Sequence, residues 1–150
     1  MKFAFRLEPV LRLRLRDEEN AKRALGETIA REQRERESLQ ALQDELSMEV
    51  SSQTQARRDV IWAQGQALYL EWALAQNGRI AAQRQVCHEA AQAVQAARAA
   101  VVEARRAVQV LEKLKERRHE QWKLDLSRKE QIFTSEVAAQ RWQRQRSAEG

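Results

Sequence analysis

Two histidines, His88 and His119, and one cysteine, Cys87, are the side chains of this sequence best suited to holding a metal or attacking an electrophile. The histidines lie 31 residues apart, about 46 Å along one continuous helix at ~1.5 Å per residue. No straight helix brings them to one metal, and both read as residues on a solvated flank. Cys87 has no partner for an intrachain disulfide and reads as a small hydrophobe in a reducing compartment. Acidic pairs such as Glu18-Glu19 are explained by charge pairing four residues apart on an exposed helix. The basic run Lys113 to Arg118 is interrupted by Glu116 and preceded by Glu112, which weakens it as a track for phosphates. Glycine-rich phosphate loops and paired-cysteine metal spacings are absent. The sequence therefore predicts no enzyme, no metal and no cofactor, and leaves recognition as the chemistry to explain.

The element that must carry recognition is a helical seam. Ile80, Cys87, Val94, Val101 and Val108 recur every seven residues, with Ala90, Ala97, Ala104 and Leu111 three places after successive members. In heptad terms these are a and d positions, and the register reaches back to Tyr69 and Trp62. An apolar stripe of that length marks a long helix lying against another helix. Composition agrees: Pro9 is the only proline, the four glycines are scattered, 33% of residues are charged, and mean hydropathy is −0.75. Ala, Leu, Glu, Gln and Arg, all strong helix formers, dominate. The supply of apolar residues suits a narrow seam better than a globular core, and the sustained heptad argues against disorder.

Leu11, Leu25, Leu39, Leu46 and Val60 form a second a-position ladder, with Ala21 and Leu42 at d and with Leu15, Ile29 and Val50 on its flank. It is one residue out of phase with the ladder from Trp62 to Leu111, so the chain must reverse between them. Asn77-Gly78 is the more obvious turn dipeptide, but the heptad runs through it in phase with both residues outside the seam. The Ser- and Thr-containing stretch Ser51 to Gln55 is the better candidate. The reading is a single all-α coiled-coil domain over residues 1–150: helix 1 at about 9–51, reversal at about 52–61 and helix 2 at about 62–146.

The first residues alternate Leu11, Leu13 and Leu15 with Arg12, Arg14 and Arg16 like a strand, yet a helix begun near Pro9 would align Leu7, Leu11 and Leu15. Such a cationic amphipathic segment suits a partner's collar or a membrane surface. Arginines interrupt it too early for a signal peptide, and no stretch has the ~20 apolar residues of a membrane span. A cytoplasmic protein is expected. Net charge is +5, and the excess sits late, with 12 basic against 8 acidic residues over 101–150. A positive excess favours an acidic protein, an anionic membrane or nucleic acid without choosing between them. Beyond Leu111 the heptad loses its apolar character, and Leu114, Trp122, Leu126, Ile132, Phe133 and Val137 make a looser stripe. It awaits either the N-terminal turns or another protein, and Trp142 and Phe133 among arginines suit association. Trp62 falls at d as a core residue, whereas Trp72 at g suits an outward anchor.

The opening Phe3-x-Phe5-Arg6-Leu7-Glu8-Pro9-Val10-Leu11-Arg12, then Glu18-Glu19-x-Ala21 and Leu25-Gly26-Glu27, the block Leu111 to Arg118 and the late Lys129-Glu130-Gln131 resemble the FliJ family of the bacterial flagellar type III export apparatus. The likeness covers nearly the whole chain. It departs in having no glycine between Gly26 and Gly65 and in offering Ser135-Glu136 where the family often has Asp-Glu. The resemblance implies a long two-helix antiparallel coiled coil, an α-helical hairpin similar to the central stalk of rotary ATPases. It further implies a non-enzymatic rod that enters the hexameric ring of the flagellar export ATPase, contacts the cytoplasmic domain of the export gate and assists export chaperones. Such a protein serves motility and chemotaxis from the cytoplasm, at most peripherally on the inner membrane at the flagellar base.

The positions matching the family's gate-contacting region are Ser38, Leu42, Glu45, Glu49, Trp72, Gln76, Arg79 and Gln83; Leu42, Trp72 and Arg79 are the leading candidates, with Gln76 and Gln83 beside them. Arg12, Arg14, Arg16, Lys113, Arg117 and Arg118 are the expected ATPase contacts. The stalk protein of a virulence type III secretion system shares this architecture and is the near alternative. A basic coiled coil that binds nucleic acid is the more distant one, because no acid-free cluster of cations adjoins the seam.

Overall fold

A computed structural model describes residues 2–56 and 63–150. The chain is an all-α hairpin of two long helices packed against each other, α1 over Glu8–Ala56 and α2 over Ala63–Glu149. Pro9 sits in the first turn of α1, where its missing N–H has no carbonyl to serve. The helix is set by Glu8 N–H donating to the Phe5 carbonyl at 3.1 Å and Leu11 N–H to the Leu7 carbonyl at 2.9 Å. The strand-like alternation after Pro9 is therefore helical, and of the stripe Leu7, Leu11 and Leu15 only Leu11 is buried.

α1 continues through Ser51–Gln55, the stretch expected to start the reversal, and ends at Ala56. Inside the helix the Thr54 hydroxyl donates to the Val50 carbonyl one turn back, at 2.9 Å, the bond back to the preceding turn that a hydroxyl residue makes mid-helix. Residues 57–62, among them the rest of the expected reversal and the seam candidates Val60 and Trp62, lie outside the described residues. Asn77 and Gly78 are both inside α2.

Packing divides the chain into two compact units: a terminal unit, in which residues up to Arg16 pack with Arg105–Gly150, and a central unit, Asp17–Ala104. In the central unit the seam read from the heptad is the buried face: Ile80, Ala90 and Val94 are almost wholly covered. Its α1 side mixes half-buried Leu25, Leu39, Leu42 and Leu46 with half-buried Thr28, Glu32, Glu35 and Glu49 and with buried Glu18. Much of this seam is alanine or polar, so it is a narrow contact rather than a broad core.

In the terminal unit Leu11 and Val108 are the buried apolar side chains. The residues ahead of α1 lie along α2. Phe3 meets His119 edge-on, with ring centroids 4.9 Å apart at 65°, and lies 6.0 Å from Trp122, which itself stacks on His119 at 5.9 Å. Lys115 Nζ pairs with Glu8 Oε2 at 2.8 Å. His119 is thus half-buried in an aromatic cluster rather than part of a solvated charged face, because Phe3 covers it. The N-terminal residues cover the loose stripe as far as Trp122, while farther along α2 Ile132, Phe133 and Trp142 remain more than half exposed.

Phe3→Ala should remove the edge-to-face contact on His119 and uncover Trp122. Double-mutant cycles put such aromatic pairs at about 0.5–1.5 kcal/mol beyond burial. Thermal unfolding should show a loss of that order, and a red-shifted tryptophan emission should report a wetter Trp122; an unchanged spectrum would contradict the contact.

Candidate partner-binding surfaces

In the central unit, three of the five gate candidates form one connected cluster and a fourth repeats its geometry a heptad away. Gln76 is fully buried. Its Nε2 donates across the helix pair to the Leu42 carbonyl and to Glu45 Oε2, both at 3.1 Å. Arg79 Nη1 donates to Gln76 Oε1 at 3.5 Å. Gln83 Nε2 donates to the Glu35 carbonyl at 2.9 Å and to Glu35 Oε2 at 2.7 Å. Gln76 and Gln83 are seven residues apart on α2 and their carbonyl partners Leu42 and Glu35 are seven apart on α1, as an antiparallel pair requires.

These glutamines occupy d positions of the Ile80 ladder, and that is why they point at α1. A buried amide must find partners, and the facing helix offers carbonyls with a spare lone pair and two carboxylates. Their hydrogen bonds are spent within the hairpin. Leu42 is half-buried in the same seam, whereas Arg79 is exposed and Trp72 half-buried beside it. Trp72 stacks on Tyr69 with centroids 6.4 Å apart and planes 29° apart, which fixes an aromatic surface at the g position, one heptad, about two turns, from Arg79. Glu35 was not singled out from sequence; extending the ladder back one heptad from Ala90 to Gln83 would have raised the question of what faces it.

In the terminal unit, Arg12, Arg14, Arg16, Lys113, Arg117 and Arg118 are all exposed. Arg118 lines a groove of about 630 Å³ with Phe3, Phe5, Leu7 and Trp122. The unit boundaries reveal a charge division that the count by thirds of the sequence blurs. The terminal unit carries 17 basic and 8 acidic residues, a net +9, and the central unit 10 and 14, a net −4. A field of that size attracts acidic surfaces and raises association rates.

Among the described residues no group of three or more His, Cys, Asp or Glu side chains is placed to hold a metal ion, and no helix is long and apolar enough to cross a membrane. Cys87 is half-buried and unpaired with sulfur.

The model of one protein family, described as the flagellar FliJ protein, matches residues 1–147. No curated protein and no solved structure matches the chain significantly.

Gln76→Ala should cost about 1–3 kcal/mol in urea unfolding, because it removes buried amide bonds and leaves space in the seam. Gln76→Leu keeps most of the volume but removes the same bonds, so it should still lose about 1 kcal/mol, and a Leu variant as stable as wild type would refute the hydrogen-bonding role.

Proposed function

The chain belongs to the FliJ family and so to the flagellar export apparatus, and from that premise we propose that it is a non-enzymatic, stalk-like hairpin with separate surfaces for the export ATPase and the export gate. The observation that carries this reading is the charge division, net +9 in the terminal unit and −4 in the central one. The terminal unit binds the hexameric ATPase, with Arg12, Arg14, Arg16, Lys113, Arg117 and Arg118 meeting acidic groups in the ring. Long-range attraction speeds that encounter and orients the hairpin.

In the central unit the gate's cytoplasmic domain meets Trp72 and Arg79, residue types that dominate interface energetics when packed on a rigid base. Leu42, Gln76 and Gln83 form that base: they hold the two helix backbones in register beneath the contact. Export chaperones engage the same protein in turn, and its site of action is the cytoplasmic side of the inner membrane at the flagellar base, reached through proteins rather than by insertion into lipid. Nucleic acid is the less favoured partner, because Glu112 precedes and Glu116 interrupts the block Lys113 to Arg118.

Binding of the purified chain to export ATPase and to the gate's cytoplasmic domain tests both surfaces at once. Arg117→Glu with Arg118→Glu should weaken ATPase binding by about tenfold or more and flatten its salt dependence while leaving gate binding intact. Trp72→Ala should do the reverse, with a loss of about thirtyfold in gate affinity, as for a hot-spot aromatic. If wild type bound neither protein, the assignment of partners would fall; if only the variants failed to separate, the assignment of surfaces would fall alone.

A further inference from the structure

From Ala63 to Gly78, α2 carries a single charged side chain, Glu71. One side of this stretch is the seam against α1. The other side is also apolar: Leu68 is 70% and Leu74 74% exposed, with Leu70 at 53% on its edge. Leu68, Glu71, Ala75, Gly78 and Ala82, all exposed, follow the alternating three- and four-residue spacing of a coiled-coil seam, so α2 bears a second one on its outer face. A solvated helix face ordinarily carries charge, and a helix apolar on both sides is one packed on both sides.

Gly78 adds to this. A Cβ there would meet nothing within 4 Å, and no glycine has a positive φ, so no contact within the described residues calls for glycine. Its place in a helix interior costs ~1 kcal/mol relative to alanine, and close approach of another backbone is what a missing Cβ permits.

The face is complementary to itself. Laid antiparallel on a copy about Ala75, it sets Leu68 against Ala82 and Ala75 against itself, with Leu74 flanking the axis, so the one large side chain of the seam meets a small one. Glu71 and Arg79 stand four residues either side of Ala75 and are opposite in charge; the same arrangement therefore brings each Glu71 to the Arg79 of the copy, twice. Parallel pairing would instead set Glu71 against Glu71, and an anionic membrane would meet Glu71 as well as Arg79. We propose that this chain associates with a second copy through an isologous, antiparallel contact of the outer face of α2 centred on Ala75. The contact spans about two heptads and falls short of the ~800 Å² per partner of a standard interface, so the dimer is weak and reversible. The contact shares Arg79 with the gate surface proposed above, but it is argued without the ATPase or the gate and its test uses neither.

Sedimentation of the full chain over a concentration series reads the equilibrium, with circular dichroism as the check on folding; Leu74 is exposed, so its replacement leaves the hairpin intact. Wild type should pass from monomer to dimer, and Leu74→Glu should raise the dissociation constant by about tenfold or more, the cost of placing a carboxylate in an apolar contact. Glu71→Arg and Arg79→Glu should each weaken the dimer, and the two together should restore it. In a Cys87→Ala background, Ala75→Cys should form an intermolecular disulfide readily and Ala67→Cys only slowly, since Ala67 lies two turns from the symmetry axis. A wild type that stays monomeric, a Leu74→Glu variant that dimerises as well as wild type, a charge swap without recovery, or equal cross-linking at both cysteine positions would each overturn the proposal.

Discussion

The register of the two helices rests on two glutamines. A two-helix seam has only one buried face, and in the central unit that face contains Ala90 and Gln76 as well as Ile80 and Val94, so apolar burial alone discriminates weakly between alignments a heptad apart. Bonds from Gln76 and Gln83 to backbone carbonyls would not discriminate either, since every residue carries one. The carboxylates make the bonds specific: Gln76 also reaches Glu45, and Gln83 also reaches Glu35. A slip of one heptad toward the start of α1 would set Gln83 against Thr28, whose hydroxyl is already turned to the Leu25 carbonyl at 2.8 Å. A few buried polar groups can thus choose an alignment that the apolar seam leaves open, the best-attested use of polar residues in coiled coils.

The terminal unit solves a different problem with different chemistry. Its part of α2 bears too many charges to continue an apolar seam, and Lys115 stands where a hydrophobe would belong. Glu8, in the first turn of α1, neutralises it and is itself favoured there by the helix dipole. The stripe at Leu114 and Trp122 is then met by side chains from the residues ahead of α1 rather than by a helix. Phe3 supplies the aromatic contact, and the groove it shares with Phe5 and Leu7 remains partly open beside Arg118.

How much of this was legible in the sequence follows from what each signal encodes. Heptad periodicity encodes which face is buried, and it located Ile80, Ala90, Val94 and Val108. It is silent on which residue of the other helix each one meets, so Glu35 and Glu45 went unpaired with the glutamines. Intrinsic propensity made Ser51–Gln55 look like a helix end, but propensity is a weak prior that tertiary context overrides. Phe3 and His119 were unreadable as neighbours, since an extended segment has no period to phase against a helix. The late positive excess was visible, but the terminal unit also gathers the cations of the first sixteen residues, which lie far off in sequence.

The buried glutamines also differ from the side chains near them in how much bonding capacity they have left. A side chain whose amide already meets a carbonyl and a carboxylate at 3.1 Å gains little from a partner protein and loses its own bonds by turning outward. Sequence likeness placed Gln76, Gln83, Trp72 and Arg79 in one group, yet their surroundings sort them into two. The glutamines fix backbones; the tryptophan and arginine, an aromatic plane held by Tyr69 and a guanidinium that reaches Gln76 with a single donor, keep the larger part of their bonding capacity unspent. A rigid seam beneath an aromatic and a planar cation lowers the entropy lost when a partner binds them. On the proposed gate surface, residues that never touch the partner would thereby contribute to its affinity.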